Sequence, residues 1–307
     1  LHPILRAVIT ESAAGEITKE AEDRKASRVL DYLVFTKFRL AGLVIFSAVL
    51  GYLAAAEHVN WLTLIALTLG GSFITASANG LNQIYERERD KLMQRTFQRP
   101  LPQHRISVKE AYIACILFAI AGFILLYWFC NPLTAVLSLG SLLIYAYVYT
   151  PLKPVTPLAV FVGAIPGALP PLLGFTAADN SISFDALIWF FIQFMWQFPH
   201  FWAIAWRGHE DYLRGGFYLL PLRNGKTREN AAIIFFYTLM NLPVALLPYF
   251  FGISGLYSSA GIFVMNVFFI YYAYRLYSGK SDKDATKLMF ASFFYLPVVQ
   301  ILLFLNL

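Results

Sequence analysis

Asn82, Glu86 and Asp90 recur every four residues at the end of a largely apolar run, interleaved with Arg87, Arg89 and Lys91. On a helix, residues at i, i+4 and i+8 share one face, drifting by about 40° per step over roughly 12 Å of axis. An amide oxygen and two carboxylates in such a row are the hard donors Mg²⁺ takes while it keeps waters and substrate phosphate as further ligands. Arg87, Arg95, Arg99 and, further along, Lys153 are available for the remaining phosphate charge, the arginines bidentately. Acids and bases together at a membrane surface suit a metal-bridged diphosphate. A solvated helix end laced with i,i+4 ion pairs is the plainer reading of the spacing alone.

A second polar stretch, "RGHEDYLRGG", brings Glu210 and Asp211, with Arg214 beside them. Two stripes inside apolar segments point the same way. Thr75, Asn79, Asn82 and Glu86 fall at i, i+4, i+7 and i+11, and Gln193, Gln197 and His200 repeat the idea further on. Polar groups at membrane depth are costly and usually face a bundle interior or a cavity. His200 ends its stripe and follows Pro199, which frees a backbone carbonyl.

The elements that must position these residues are membrane helices. Of 307 residues, 58% are hydrophobic, 17% aromatic and only 14% charged, whereas about a quarter of a soluble protein is charged. Apolar runs predict an all-α polytopic bundle of nine transmembrane helices at 40–56, 61–83, 110–130, 132–150, 157–175, 184–205, 231–250, 254–277 and 286–306. The turns near 57–60, 131, 176–183 and 251–253 hold no Lys or Arg; all 24 basic residues lie in the alternate set of connections and the N-terminal tail. That asymmetry predicts a cytoplasmic N-terminus and an outer C-terminus. The net charge of +6 therefore belongs to one membrane face and does not suggest nucleic acid.

The long inner loops, 84–109 and 206–230, follow the second and sixth spans. An even separation gives both preceding helices the same direction, as in parallel repeats, so the two acidic loops can converge above one cavity. Residues 1–30 are mixed in charge and lack the apolar core of a signal peptide. They read as a cytoplasmic lead-in to a single domain over 31–307. Cys115 and Cys130 would lie about 22 Å apart on one helix, too far to bridge. The stretch "GAIPGALPPLLG" should be kinked and closely approached by its neighbours.

Three blocks carry a resemblance. "NQIYERERDKLMQRTFQRPLP" resembles the first Asp-rich motif of UbiA-type intramembrane prenyltransferases in their heme O synthase (protoheme IX farnesyltransferase) branch. "YTPLKPVTPLAVFVGAIPGALPPLLGF" and "WQFPHFWAIAWRGHEDYLRGGFYLLP" are similar to two further blocks of that branch. The likeness runs from about Thr36 to the C-terminus. It implies that Asn82, Glu86, Asp90 and Asp211 bind Mg²⁺–diphosphate, that Glu210 supplements the metal ligands, and that Arg95, Arg99, Lys153 and Arg214 hold the diphosphate. His200, Gln197 and Gln193 would face the heme. The chain departs from the pattern at Arg207, where many members have Asp, at Glu86, where Asp is commoner, at "TKFR" and at Pro154.

The resemblance further implies a UbiA-like fold with a central cavity in the inner (plasma) membrane, in contact with lipid. Its activity would be Mg²⁺-dependent farnesyl transfer from farnesyl diphosphate to protoheme IX, with a heme A synthase as a candidate partner. A sister enzyme acting on a quinone-precursor ring and a membrane transporter are the alternatives. The transporter would place its sites at mid-membrane on broken helices, not at one interface.

Overall fold

The computed structural model describes residues 27–306, so the expected lead-in falls outside it except for its end. Among the described residues all regular structure is helical. α1 covers 27–35, α2 Phe38–Ala55, α3 Trp61–Asp90 and α4 Val108–Phe129. α5 spans Pro132–Leu152 and contains a π-helical segment, Ile144–Tyr149. α6 is Ala159–Asp179, α7 Phe184–Arg207 and α8 the short His209–Arg214. α9 is Arg228–Phe250, α10 Leu256–Gly279 and α11 Asp282–Leu305.

Helix starts are written in the sequence. Asn60 accepts from the amides of Leu62 and Thr63, and Ser107, Asn131, Ser183, Thr227 and Ser281 each take one amide of the turn they begin. Among the described residues seven helices are long and apolar enough to cross a membrane; the apolar part of α2 is shorter, Ala41–Ala55, and α7 carries the Gln193, Gln197 and His200 stripe.

The bundle has two chemically distinct ends. At one, Tyr52 meets Asn60, Asn131 meets Thr176, and Asn306 caps Gly255. At the other, Glu86 meets Lys153, Asp31 meets Arg105, and Lys226 bridges Glu210 and Asp282. Every described Lys and Arg belongs, by its place in the chain, to this second end.

α2 packs on α6 so closely that only glycine fits at the crossing. A Cβ on Gly51 would lie 2.2 Å from the Pro171 carbonyl oxygen, and one on Gly174 2.1 Å from that of Ala48. Close backbone approach through small residues is how membrane helices gain dispersion energy without a hydrophobic drive. Gly174→Ala therefore lowers stability by about 1–3 kcal/mol, read as a lower melting temperature in detergent. Gly42→Ala, where a Cβ meets nothing within 4 Å, is the control.

Two segment ends matter for the chemistry. The second apolar span is expected to end at 83, and the helix α3 runs on to Asp90, as the four-residue spacing requires, its polar last turns held by Lys153 and Arg99. The fourth was expected as a plain helix over 132–150, but its end is widened into the π segment.

Candidate active site

The last turns of α3 present Asn82, Glu86 and Asp90 to the interior, 1%, 7% and 0% exposed. Asn82 Oδ1 accepts from Lys37 Nζ at 3.2 Å, and its Nδ2 donates to Thr150 Oγ1 at 3.1 Å. Glu86 Oε1 lies 2.8 Å from Lys153 Nζ, and Asp90 Oδ2 lies 2.8 Å from Arg99 Nη1. Buried charges persist only when paired, and each acid here has one base. Asp90 Oδ1 is buried with no hydrogen-bonding partner, an unused acceptor at the end of the row.

Lys37 is a site residue that spacing alone did not find. It sits in the left-handed region between α1 and α2, at φ 52°, a conformation unfavourable for a side chain with a Cβ and one that brings its ammonium to Asn82. Burial, with the Arg99 and Lys153 charges, pulls its pKa down to about 7. Burial also works against the Lys153 ammonium, but Glu86 and the Tyr149 and Tyr145 phenols outweigh it and hold that pKa above the lysine range. Lys37 had a signal only in the "TKFR" string; Thr150, Tyr145 and Tyr149 had none beyond lying in or beside the second block.

The second acidic stretch closes on the first. Asp211 accepts from the Gln94 amide at 2.7 Å and the Arg95 amide at 3.1 Å, and pairs with Arg214 at 2.6 Å. Burial would raise its carboxyl, but Arg214 and the two amides prevail and hold it below the usual range. Arg95 donates to Tyr212 Oη at 2.8 Å and lies over that ring; Arg89 donates to the Gly215 carbonyl at 2.8 Å. Gly216 follows at φ 72°, where a Cβ would lie 2.6 Å from Arg89 Nη1, so the turn that seats Arg89 needs glycine.

Other expected members lie elsewhere. Glu210 is exposed and pairs with Lys226, which also holds Asp282; the structure does not bring it to the α3 face. Arg87 turns outward to Glu88, and Arg207 is exposed, with Met289 Sδ 3.9 Å away.

A family model described as the UbiA prenyltransferase family matches residues 43–296. The chain belongs to that family. A protoheme IX farnesyltransferase of Cytophaga hutchinsonii is 47% identical over 277 residues, covering 90% of this chain and 97% of that one. One of Christiangramia forsetii is 44% identical over 287 residues, covering 92% and 94%. In fold, this UbiA-family chain is similar to a solved digeranylgeranylglyceryl phosphate synthase, with a TM-score of 0.76 at 19% identity, covering 91% of this chain and 98% of that one. A UbiA homolog from Archaeoglobus fulgidus, solved bound to DMAPP and Mg²⁺, aligns with a TM-score of 0.62 at 16% identity, covering 89% and 99%. With its apolar helices, the chain is a multi-pass membrane prenyltransferase.

The donor set of this UbiA-family site fits a magnesium ion in one respect and departs in another. The amide oxygen of Asn82, the carboxylates of Glu86 and Asp90 and the unpaired Asp90 Oδ1 are hard oxygens on one helix face. Yet among the described residues no three Asp, Glu, His or Cys side chains form a ready metal cluster; Lys153 and Arg99 neutralise the carboxylates, and Lys37 donates to the Asn82 amide oxygen. Such a set suits an ion completed by substrate phosphate and water better than an all-protein cage.

The α7 stripe is hydrogen-bonded into the bundle. Pro171 has no amide to offer the Gly167 carbonyl, and Gln193 Nε2 donates to that oxygen at 2.8 Å. Gln197 Nε2 donates to Ala164 O at 3.0 Å, and Gln300 donates to Gln193 Oε1 at 2.8 Å. His200 Nδ1 lies 2.7 Å from Ser292 Oγ, with its ring stacked on Trp196. Its other ring nitrogen has no partner among the described residues.

Proposed function

We propose that this chain is a protoheme IX farnesyltransferase (heme O synthase), transferring farnesyl from farnesyl diphosphate to the 2-vinyl group of protoheme IX. The observation that carries the reading is the buried array in which the Asn82 amide meets Lys37 and two carboxylates pair with Lys153 and Arg99, closed by Asp211 from the second loop. The names of relatives at 47% and 44% identity support the acceptor.

Mg²⁺, held by Asn82, Glu86, Asp90 and Asp211, would supply charge neutralisation for the diphosphate. Arg99 and Lys153, already poised on the carboxylates, take phosphate charge, with Arg95 and Arg214 at the mouth. These cations favour heterolysis because they stand where negative charge develops on the leaving group. The farnesyl C1–O bond breaks, with its electron pair going to diphosphate, and the vinyl double bond supplies the pair for the new C–C bond. Water adds hydroxide to the resulting cation beside the porphyrin and releases a proton. The apolar bundle keeps bulk water from the allylic cation until then.

We read nine helices as spanning the inner (plasma) membrane within a single domain over 31–307, with the N-terminus cytoplasmic, the C-terminus outside and a lipid-accessible cavity beneath the acidic loops. A heme A synthase is the partner that would take the product onward. The test is reconstituted protein supplied with Mg²⁺, farnesyl diphosphate and protoheme IX, with the heme fraction read by mass spectrometry. Heme carrying farnesyl plus one hydroxyl supports the reading. Prenylation of an aromatic acid alone points to the sister enzyme, and substrate counterflow without transfer to a transporter.

The free nitrogen of His200 supports a role toward the acceptor, with Gln193 and Gln197 on the same face. His200→Ala then weakens protoheme binding by about tenfold, followed by absorbance, while affinity for a non-hydrolysable farnesyl diphosphate analogue holds. Equal losses in both would make His200 a staple between α7 and α11 only.

A further inference from the structure

Arg207 at the end of α7 and Lys283 and Lys287 in the first turns of α11 line one recess of about 550 Å³, together with Asp282 and Thr286. Arg207 Nη1 lies 3.9 Å from Met289 Sδ, which holds the α7 guanidinium against the helix that carries the lysines. Asp282 is the acid of the recess, and Lys226 already takes both its oxygens, at 2.9 and 3.1 Å. Arg207, Lys283 and Lys287 form no ion pair among the described residues, so the recess carries net positive charge. Other cations at this end are engaged by acids: Arg28 by Glu110, Arg105 by Asp31 and Arg275 by Asp284. Positive charge on one membrane face sets orientation, but orientation does not require three unpaired cations in one recess.

Lys283, Lys287, Phe290 and Phe294 fall at i, i+4, i+7 and i+11 of α11 and share one face. All four are exposed, whereas Asp284, Ala285, Leu288, Met289 and Ser292 are buried against the bundle. In a membrane helix the face turned away from the bundle meets lipid. From the rim inward, over about 16 Å of axis, that face presents two ammoniums and then two phenyl rings. The Phe294 ring is steadied by Phe268 of α10, with centroids 6.2 Å apart. An amphiphile with an anionic head and acyl chains has the matching order. Because Lys226 engages Asp282, the recess offers a diphosphate no free acid with which to share a metal ion. A phosphodiester needs none.

We propose that this recess binds the phosphate headgroup of an anionic phospholipid, with its chains along Phe290 and Phe294, and that the bound lipid braces the second loop. Basic pockets between membrane helices recognise such headgroups. The bracing follows from Asp282, which lines the recess while Lys226 joins it to Glu210 on α8, the neighbour of Asp211. A phosphate on Arg207 and the two lysines ties α7 to α11 beside that clasp. The site does not depend on which acceptor the enzyme prenylates.

The purified chain in neutral detergent is titrated with phosphatidylglycerol or with phosphatidylcholine of the same chains, and retained lipid is read by native mass spectrometry. Wild type is expected to prefer phosphatidylglycerol and to melt at higher temperature with it. Arg207→Gln, Lys283→Gln and Lys287→Gln each lower that affinity by about fivefold, and the triple variant by about a hundredfold. Lys109→Gln and Lys280→Gln, at exposed cations outside the recess, retain it. Equal affinity for the two lipids, or equal losses in these controls, would overturn the proposal. So would glycerol phosphate without chains binding as tightly, or a loss of protoheme affinity in place of lipid affinity. Should the triple variant fail to fold, the single Gln losses are set against Lys283→Arg and Lys287→Arg. Retained binding in the Arg variants alone supports the site, and single Gln variants that bind like wild type overturn it. Phosphatidylglycerol is also expected to slow limited proteolysis within 206–230 in wild type only; cleavage indifferent to the lipid overturns the bracing.

Discussion

Glu86→Gln and Asp90→Asn each slow prenyl transfer by about a hundredfold to a thousandfold in protein that still inserts and melts cooperatively. The size follows from removing preorganised charge at the position where a leaving group develops its own. Retention of fold follows from the contacts. Each neutral isostere still accepts a hydrogen bond, from Lys153 or from Arg99, so no buried cation is left without an acceptor. Alanine would be the poorer test, because stranding the Arg99 or Lys153 charge is itself destabilising. Initial rates at saturating substrate, repeated over a range of Mg²⁺ concentrations, check the result. Near wild-type turnover at high Mg²⁺ would remove that carboxylate from the site.

Asp211→Ala is expected to lower turnover by about a hundredfold for a different reason. Its carboxylate joins the amides of Gln94 and Arg95 to Arg214, so it is both a candidate ligand and the latch between two loops far apart in the chain. Loss of the latch exposes residues 91–107 to limited proteolysis, which separates this effect from a pure ligand loss. Its carboxyl is held below the usual range. The latch is therefore in place above the unfolded carboxylate value, near pH 4, and is lost only as pH falls through the lower folded value. Unchanged turnover with unchanged cleavage would show that the two loops meet without consequence.

The row Asn82, Glu86, Asp90 was legible because a four-residue period puts donors on one helical face whatever surrounds them. The ends of the bundle were legible because the distribution of Lys and Arg is one-sided. What periodicity does not carry is which base meets which acid. Lys37 and Lys153 approach α3 from turns 45 and 67 residues away in sequence, and those pairings depend on an unusual backbone conformation and on a π segment. Neither departure leaves a mark in hydrophobic spacing, since one inserted residue in an apolar helix still reads as an apolar helix. The α7 stripe shows the converse. Gln193 and Gln197 read as lining residues, and spacing gave no sign that their amides would also bond carbonyls of the proline-rich α6. Glu210 was drawn in by its neighbour Asp211, but adjacent residues on α8 point to different sides, and it pairs with Lys226.

On this reading the Glu86–Lys153 and Asp90–Arg99 pairs stand in for the substrate complex, with the cations resting where they can pass to phosphate. The most direct measurement is a structure of the protein with Mg²⁺ and a non-hydrolysable farnesyl diphosphate analogue. The diphosphate is expected between the last turns of α3 and the α8 loop, with Lys153 and Arg99 moved from the carboxylates to phosphate oxygens. Analogue bound elsewhere, with both ion pairs intact at their present 2.8 Å, would contradict it.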